Sequence, residues 1–304
     1  MNAILILNDQ AGSIAHGNQD SFSPENITAV FNAAGINVEI HRAAGPALTA
    51  ALRTAQQQQP EAIFVGGGDG TIGAAAGLLA DTGIPLGLLP VGTLNHFCHD
   101  LGLPSDWQEA IRAQAAGNRR AVDLGEVNGH VFINNCSLGS YAQAVRHRDA
   151  LRRERGHGKG WAMVIASLAV FRSLRRMRLQ IELPAVSLEL RTPFLLVSNN
   201  HYSGRIIESA LRPRLDEGLL WLYTTRVKKR ATLLRLLVQT LLRKIDEADA
   251  LETHSATEAV IRIERGPLPV AADGEVLDLQ PPLRFRLRKA ALLVLAPLPV
   301  APAA

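Results

Sequence analysis

The sequence predicts an α/β protein in two parts, a doubly wound parallel sheet followed by a mainly antiparallel, β-rich domain. Up to about residue 120, short apolar runs alternate with helical patterns, which is typical of parallel strands joined by helices. Beyond that point, short β-like runs follow one another closely. We therefore divide the chain into residues 1–120, residues 121–290 and a tail, residues 291–304, that can return to the first domain. The apolar residues after Ala290 predict a last strand, followed by a frayed end.

Four strands and, up to Ala80, three helices are predicted in the first domain. The strands cover Ala3–Leu7, Ile36–His41, Ala62–Val65 and Pro85–Leu89. The first helix begins after Ser23, because serine caps helix N-termini and Pro24 suits the first helical position, and Gly35 ends it. The other helices cover Pro46–Gln59 and the stretch that ends near Ala80. Ligands bind at the carboxyl ends of parallel strands, so the turns after these strands are expected to form the binding edge.

Nine β-like runs and two helical inserts are predicted after residue 120. The runs are Val122–Val127, Val131–Asn134, Leu179–Leu183, Ser187–Leu190, Phe194–Ser198, Leu219–Thr224, Val260–Glu264, Pro269–Ala272 and Leu283–Leu287. The inserts lie at about Lys159–Arg176 and Lys229–Ala250. Because most of the runs are not separated by helices, we expect them to pair in antiparallel fashion.

The composition favours a cytoplasmic chain with sizeable cores. Hydrophobic residues make up 47% of the 304 residues. Two cysteines, Cys98 and Cys136, are too few for a disulfide framework and suit a reducing compartment. Met1 leads directly into the first strand without a basic segment or a cleavage site, so we expect no signal peptide. No apolar run is long enough to span a bilayer.

The stretch Gly66-Gly67-Gly68-Asp69-Gly70-Thr71 follows a buried strand and precedes an alanine-rich helix. Glycines let backbone N–H groups approach an oxyanion, and the helix N-terminus favours negative charge at the same place. Asp69 would repel a phosphate unless a cation lies between them, which indicates Mg²⁺ together with a nucleotide. Thr71 can cap the helix or contact a phosphate. The sequence therefore predicts an ATP site here.

A second motif, Gly92-Thr93-Leu94-Asn95-His96-Phe97, again lies between a strand and a helix. Thr93 and Asn95 place short polar groups at the same expected edge. The alternative is a capped helix without a ligand.

Together, the Gly-Gly-Asp-Gly-Thr and Gly-Thr-x-Asn-x-Phe motifs resemble those of the diacylglycerol kinase catalytic family, which includes bacterial lipid kinases and sphingosine kinases. Val122-Asp123-Leu124-Gly125, Ser198-Asn199-Asn200 and Asp273-Gly274-Glu275 are similar to later motifs of that family, so the resemblance covers nearly the whole chain. It implies the fold shared by NAD kinases and diacylglycerol kinases. It also implies an ATP- and Mg²⁺-dependent kinase that transfers the γ-phosphoryl group to a lipid hydroxyl, with diacylglycerol as the default acceptor.

The resemblance also implies roles for individual residues. The nucleotide would be bound by Asn8, Gly66, Gly67, Gly68, Asp69, Gly70, Thr71, Gly92, Thr93 and Asn95. The metal ligands would be Asp69, Asp123, Asp216 and Glu217. The catalytic base would be Asp273 or Glu275, which the sequence does not separate. Asp-Gly is also a strong turn signal, so a hairpin turn is the alternative interpretation of residues 273 and 274.

Three positions depart from the family pattern. His96 stands where the family commonly has an aspartate that helps the Mg²⁺ network, Glu217 replaces the second aspartate of an acidic loop, and Asp9 replaces a proline. These departures leave the strength of metal binding open. His96 could contact phosphate when protonated or simply pack.

Basic segments favour contact with a membrane. Arginines are concentrated between Arg146 and Arg178 and between Arg226 and Lys244, next to apolar stretches. They suit a lipid substrate at a membrane surface, and peripheral contact with the inner membrane face is expected. The alternative is an ordinary helix with a solvated basic face. Aromatic residues do not interleave with the arginines, so we expect no nucleic-acid partner. A homodimer is left open.

Two other functions compete with the lipid kinase. NAD kinases and sugar-phosphate kinases share the glycine loop, but the second motif and the Asn199-Asn200 turn argue against them. A non-catalytic sensor of nucleotide or lipid is the other alternative, with His96 marking lost metal chemistry. The sequence does not name the acceptor lipid.

Overall fold

The structure is a computed structural model that describes residues 1–12, 14, 19–115, 118–139, 176–203, 211–225, 251–264 and 270–297. They divide into two compact units. The first unit comprises Met1–Leu124, Arg214–Asp216 and Arg288–Ala304, and the second comprises Gly125–Pro213 and Glu217–Leu287. None of the helices in the described part is long and apolar enough to cross a membrane.

The described elements are numbered in chain order. The strands are β1 (Asn2–Asn8), β2 (Asn37–Ala43), β3 (Ala62–Gly67), β4 (Leu86–Pro90), β5 (Arg119–Val127), β6 (His130–Phe132), β7 (Asn135–Gly139), β8 (Met177–Glu182), β9 (Ser187–Thr192), β10 (Phe194–Asn199), β11 (Leu220–Thr225), β12 (Leu251–Ala256), β13 (Glu258–Ile263), β14 (Val270–Ala272), β15 (Glu275–Leu277) and β16 (Leu283–Leu295). The helices are α1 (Pro24–Ala33), α2 (Pro46–Gln57), α3 (Asp69–Leu79), α4 (His96–Asp100) and α5 (Trp107–Ala115).

A parallel sheet forms the centre of the first unit, as the alternating pattern predicts. Its strands lie in the order β2-β1-β3-β4, and all of these pairs are parallel. Near the end of β16, Val294 pairs with Leu86 of β4, also in parallel. Strands β3 and β4 are buried along their whole length, which explains their continuous apolar sequences.

Helix α1 begins and ends where its sequence signals place it. The Ser23 hydroxyl accepts a hydrogen bond from the Asn26 N–H at 3.3 Å, and Pro24 occupies the first helical position. Gly35 follows with φ of +75°, a conformation that glycine adopts without steric cost.

Helix α5 was not predicted, although its Gln114 side chain hydrogen-bonds strand β4. The buried amide of Gln114 pairs with the backbone of Leu88, accepting from its N–H and donating to its carbonyl oxygen, both at 2.8 Å. In this way the side chain hydrogen-bonds β4 as a neighbouring strand would.

The second unit contains two antiparallel sheets. In one sheet, β13 pairs with β8 and with the first residues of β16, and β8 pairs with β9. The other has the order β12-β11-β10-β7-β14-β15. Apolar side chains from both sheets share one core, including Ile181 of β8, Val197 of β10 and Leu222 of β11. This arrangement is a β-sandwich, which confirms the prediction of an antiparallel second domain.

Some elements differ from the sequence-based prediction. Strands β7, β12 and β15 were not predicted. The run predicted at Leu283–Leu287 and the last strand expected after Ala290 form one continuous strand, β16, which ends at Leu295. The helical inserts predicted at Lys159–Arg176 and Lys229–Ala250 lie outside the described residues, apart from Arg176, which is not helical.

Candidate functional site

The glycine-rich loop joins β3 to α3 and is tightly packed at its start. A Cβ atom on Gly66 would collide with the Leu7 side chain, and one on Gly67 would lie 2.5 Å from the Thr71 side chain. Gly68 is different, since a Cβ there would meet only the Cα of Gly92, at 3.8 Å. The first N–H groups of α3 have no partner within the helix, so this loop can offer backbone donors to an anion.

The second motif packs directly against the glycine loop. A Cβ atom on Gly92 would lie 2.5 Å from the Cα of Gly68 and 3.1 Å from the carbonyl oxygen of Gly67, so the two backbones touch. Asn95 shapes this second loop, with φ of +52°. Its side chain accepts from the Gly92 N–H at 2.9 Å and donates to the carbonyl oxygens of Pro90 and Gly92, both at 3.1 Å. The amide of Asn95 therefore holds its own turn.

Asp69 connects the two motifs. Its carboxylate oxygens accept hydrogen bonds from the backbone N–H groups of His96, at 3.4 Å, and Phe97, at 3.2 Å. The carboxylate thus caps α4, and it keeps lone pairs for a further ligand.

Asn8 brings the first turn to the same place. Its side-chain N–H donates to the Thr71 hydroxyl at 2.9 Å, and its side-chain oxygen accepts from the Gln10 N–H at 3.0 Å. Thr71 lies inside α3 and binds Asn8, so it does not cap the helix as the sequence suggested. A Cβ on Gly12 would meet the Thr93 hydroxyl at 3.2 Å.

All ten residues predicted to bind nucleotide therefore lie together at the carboxyl ends of β1, β3 and β4. We call this group, Asn8, Gly66–Thr71, Gly92, Thr93 and Asn95, the glycine-loop cluster.

Asp123 and Asp216 lie near one another through backbone contact. Asp123 is 1% exposed in β5; its Oδ1 accepts from the Ala290 N–H at 2.8 Å, and its own N–H donates to the Leu215 carbonyl oxygen at 2.7 Å. Asp216 forms an ion pair with Arg214 at 3.1 Å. The Asp123 carboxylate thus holds the backbone of Ala290, whereas the Asp216 carboxylate forms a partly exposed ion pair with a nearby residue.

Glu217 belongs to the second unit and is also engaged. Its Oε2 accepts from the His201 N–H at 3.0 Å and from the Trp221 indole N–H at 3.2 Å.

Among the described residues, no three histidine, cysteine, aspartate or glutamate side chains are grouped so that they could hold a metal. Mg²⁺ commonly binds through one or two carboxylates together with substrate phosphates, and Asp69 in the glycine-loop cluster fits that mode.

Asp273 occupies the turn of the hairpin formed by β14 and β15. Asp273 has φ of +47° and Gly274 has φ of +83°, and Ala272 pairs with Glu275 across the turn. Two consecutive residues with positive φ are typical of the tight turn that Asp-Gly favours. The hairpin interpretation of this motif is therefore correct for the backbone, and it does not exclude a chemical role for the carboxylate.

The Asp273 carboxylate is held by three consecutive backbone N–H groups. Oδ2 accepts from Ile133 at 2.7 Å, and Oδ1 accepts from Asn134 at 2.8 Å and from Asn135 at 3.2 Å. Burial raises the pKa of Asp273 to about 6, and the N–H donors and the charge of Arg212 act in the opposite direction. A carboxylate that titrates near neutral pH can accept and release a proton. Glu275, in contrast, is exposed.

Sequence reasoning missed Arg212, a buried residue that is 1% exposed. An arginine before Pro213 in a loop shows no pattern that separates it from the solvated arginines elsewhere in the chain.

The two basic segments proposed for membrane contact fall almost entirely outside the described residues.

Two family descriptions match successive parts of the chain. Residues 2–127 match "Diacylglycerol kinase catalytic domain", and residues 134–296 match "YegS C-terminal NAD kinase beta sandwich-like domain". The second match covers more than half of the chain.

Known proteins resemble the chain in sequence and in fold. A Chromohalobacter salexigens protein named "Probable lipid kinase YegS-like" is 29% identical over 220 residues, which are 70% of this chain and 69% of that protein. A Bacillus subtilis diacylglycerol kinase is 39% identical over 109 residues, 34% of this chain and 36% of that protein. The crystal structure of a diacylglycerol kinase from Bacillus anthracis superposes with a TM-score of 0.69 over 99% of this chain and 98% of the other, at 19% identity. The resemblance and the kinase class expected from the motifs are thereby confirmed, and the chain belongs to the diacylglycerol kinase catalytic family of lipid kinases, with a C-terminal domain of the YegS type.

Proposed function

We propose that the chain is an ATP- and Mg²⁺-dependent lipid kinase that transfers the γ-phosphoryl group to a lipid hydroxyl, with diacylglycerol as the default acceptor. The observation that carries the proposal is the environment of Asp273. Three N–H groups fix its carboxylate, and burial raises its pKa to about 6. A base with these properties is what an alcohol needs in order to attack phosphorus near neutral pH.

The proposed reaction is an in-line transfer. The carboxylate of Asp273 accepts the proton of the acceptor hydroxyl while the hydroxyl oxygen forms a bond to the γ-phosphorus. The bond between the γ-phosphorus and the β–γ bridging oxygen breaks, and ADP leaves with that bonding pair. Glu275 is exposed, which favours Asp273 over Glu275 as the base.

The glycine-loop cluster supports the nucleotide part of the proposal. Backbone N–H groups at the start of α3 would bind phosphate oxygens, and the open space beside Gly68 would admit them. Asp69 would hold Mg²⁺, which supplies charge neutralisation to the phosphates when bound. Because Asp69 also caps α4, its carboxylate is already oriented before a ligand arrives.

Membrane contact and localisation belong to the proposal as well. The basic segment near Arg146, which apolar residues follow, and the basic, amphipathic stretch near Lys228 suit a surface of anionic lipids, and a lipid acceptor has to be reached at such a surface. A cytoplasmic enzyme in peripheral contact with the inner membrane face is consistent with this chemistry.

Phosphoryl transfer from radiolabelled ATP to a panel of lipids in mixed micelles tests the proposal. The blank is Asp273→Asn, because asparagine tolerates a positive φ and keeps the side-chain size. The matched control is Asp278→Asn, which removes an exposed carboxylate from the same segment. We expect the wild type and Asp278→Asn to label a lipid, and Asp273→Asn to label it at a rate at least about 100-fold lower.

Two other outcomes would contradict the proposal. Labelling of NAD or a sugar phosphate without labelling of any lipid would agree with the fold but contradict the assignment of a lipid as the acceptor. ATP binding without labelling of any acceptor would instead support a non-catalytic sensor.

A further inference from the structure

The guanidinium group of Arg212 is buried in the second unit. Among the residues that the structure describes, it is the only lysine or arginine that is buried. A buried cation is costly unless acceptors surround it. Nη1 donates to the carbonyl oxygens of Ile133 and, at 3.1 Å, Asn199, and Nη2 donates to Asn134 Oδ1 at 2.6 Å. The group also lies 5.8 Å from the centre of the Tyr202 ring.

One peptide unit links Arg212 to Asp273. The carbonyl oxygen of Ile133 accepts from Arg212, and the N–H of the same peptide, which belongs to Asn134, donates to Asp273 Oδ1 at 2.8 Å. A peptide with a cation at its oxygen and an anion at its N–H is polarised by both, and hydrogen bonds in such a chain strengthen one another.

The next peptide unit is held in the same way by Asn199. The Asn134 carbonyl oxygen accepts from the Asn199 N–H at 3.0 Å, while the Asn135 N–H donates to Asp273 at 3.2 Å. The Asn199 side chain also donates to the Ile133 carbonyl oxygen at 3.1 Å. Arg212 in turn donates to the Asn199 carbonyl oxygen. It therefore contacts the first peptide directly and also contacts Asn199, the residue that holds the second peptide.

We propose that Arg212 is a positioning residue for the general base: through the Ile133–Asn134 peptide it orients the loop N–H groups toward Asp273 and keeps that carboxylate ionised. The role as a positioning residue for a base rests on the proposed function of Asp273. The series of hydrogen bonds from Arg212 to Asp273 does not depend on that function.

The groups that face Asp273 give the expected direction of its titration. Burial raises the pKa of Asp273, whereas the three loop N–H donors and the positive charge of Arg212 lower it. Cys136 lies opposite Ala272 in the neighbouring strand, and burial raises the pKa of its thiol so that it stays neutral. Glu275, on the same hairpin, is exposed. Removing the charge of Arg212 should therefore raise the pKa of Asp273.

Carbon-13 NMR of the aspartate side-chain carboxyls measures this titration without any substrate. The Asp273 signal is assigned by its loss in Asp273→Asn. In Arg212→Met and Arg212→Gln we expect its midpoint to rise by about one pH unit. The matched control, Arg262→Met, removes an exposed arginine of the same unit and should leave the midpoint unchanged.

Arg212→Lys separates charge from packing. Lysine restores the positive charge, so this variant is expected to titrate close to the wild type. Neutral variants with the wild-type midpoint would overturn the proposal. A lysine variant that titrates like the neutral ones would also overturn it, because the shift would then come from lost packing. Should the methionine variant not fold, the glutamine variant supplies the same comparison.

Kinase assays connect this result to the reaction. In Arg212→Gln the acid limb of the pH–rate profile should move to higher pH with the NMR midpoint, while KM for ATP stays unchanged. If the wild type phosphorylates no lipid, the proposed function fails, but the NMR titration still decides whether Arg212 controls Asp273. If lipid is phosphorylated and the acid limb does not move, the role of Arg212 fails alone.

Discussion

The Asp69 carboxylate accepts a hydrogen bond from the backbone N–H of His96, 27 residues farther along the chain. This contact joins the glycine loop to the second motif and fixes one carboxylate beside the open backbone of the glycine-loop cluster. The position of His96 is the one where the family commonly has an aspartate. The backbone of His96 therefore performs a structural task that does not depend on its side chain.

Removal of the Asp69 carboxylate should separate its two roles. Asp69→Ala loses the cap of α4 and a carboxylate for Mg²⁺, so we expect a loss of about 1 kcal/mol in the free energy of unfolding and a roughly 100-fold fall in kinase activity. Asp106→Ala is the control, since Asp106 caps α5 by accepting from the Gln108 and Glu109 N–H groups. It should lose similar stability, measured by urea unfolding, and keep its activity. Equal loss of activity in both variants would assign a purely structural role to Asp69.

Alanine at Gly67 should lower stability, whereas alanine at Gly68 should weaken nucleotide binding without lowering stability. A methyl group at Gly67 collides with Thr71, so Gly67→Ala should lower the free energy of unfolding by about 1 to 3 kcal/mol. A methyl group at Gly68 has space, with φ of −86°, so Gly68→Ala should keep the wild-type Tm. It should nevertheless weaken ATP binding by roughly tenfold, because the methyl group lies where a phosphate must approach. Calorimetric titration with ATP measures this, and unchanged affinity would exclude phosphate binding beside Gly68.

The raised pKa of Asp273 makes stability depend on pH with a defined sign. Folding raises this pKa from 3.8 to about 6. Between these values the folded chain binds a proton that the unfolded chain has lost, so the contribution of Asp273 to stability falls as pH rises and is least favourable above about pH 6. Asp273→Asn removes the dependence. Relative to the wild type, the variant should gain about 2 kcal/mol in unfolding free energy between about pH 4 and about pH 7.5. Urea unfolding of the wild type, Asp273→Asn and the control Asp278→Asn at both pH values measures this gain. If the pKa of Asp273 in the folded chain were ordinary, the difference in unfolding free energy between Asp273→Asn and the wild type would be the same at both pH values.

Gln114 should be essential for the stability of the parallel sheet. Gln114→Leu leaves both the N–H and the carbonyl oxygen of Leu88 buried without the amide that binds them. We expect a loss of about 2 to 3 kcal/mol in the free energy of unfolding. The same substitution at Gln57, an exposed position in α2, should change it by less than about 0.5 kcal/mol. Comparable stability of the two variants in urea would show that the hydrogen bonds from the Gln114 amide to Leu88 do not stabilise the sheet.

Local signals made much of the fold predictable from the sequence. Ser23, Pro24 and Gly35 mark the limits of α1, and continuous apolar runs mark β3 and β4. Strand β7 was not predicted because its sequence, with asparagine, serine and glycine, has low β-propensity. Pairing with β10 and β14 makes it a strand, and such tertiary context overrides local preference.

The candidate site was predictable where its residues form motifs. The glycine loop and Asp273 stand in short, ordered patterns, whereas Arg212 is a single arginine whose burial arises from the loop that contains Ile133. The cap made by Asp69 also escaped prediction, because it joins residues of two different motifs.

The pH–rate profile of lipid phosphorylation by the wild type and Asp273→Asn tests the role of Asp273 most directly. If Asp273 is the base, kcat/KM should rise about tenfold per pH unit up to about pH 6 and then level off, following the pKa of the carboxylate. In Asp273→Asn the rate should fall by a factor of roughly 100 to 10,000 and lose this limb. A wild-type rate that does not change from about pH 5 to about pH 8, or an Asp273→Asn variant that keeps the limb, would contradict the assignment of Asp273 as the base.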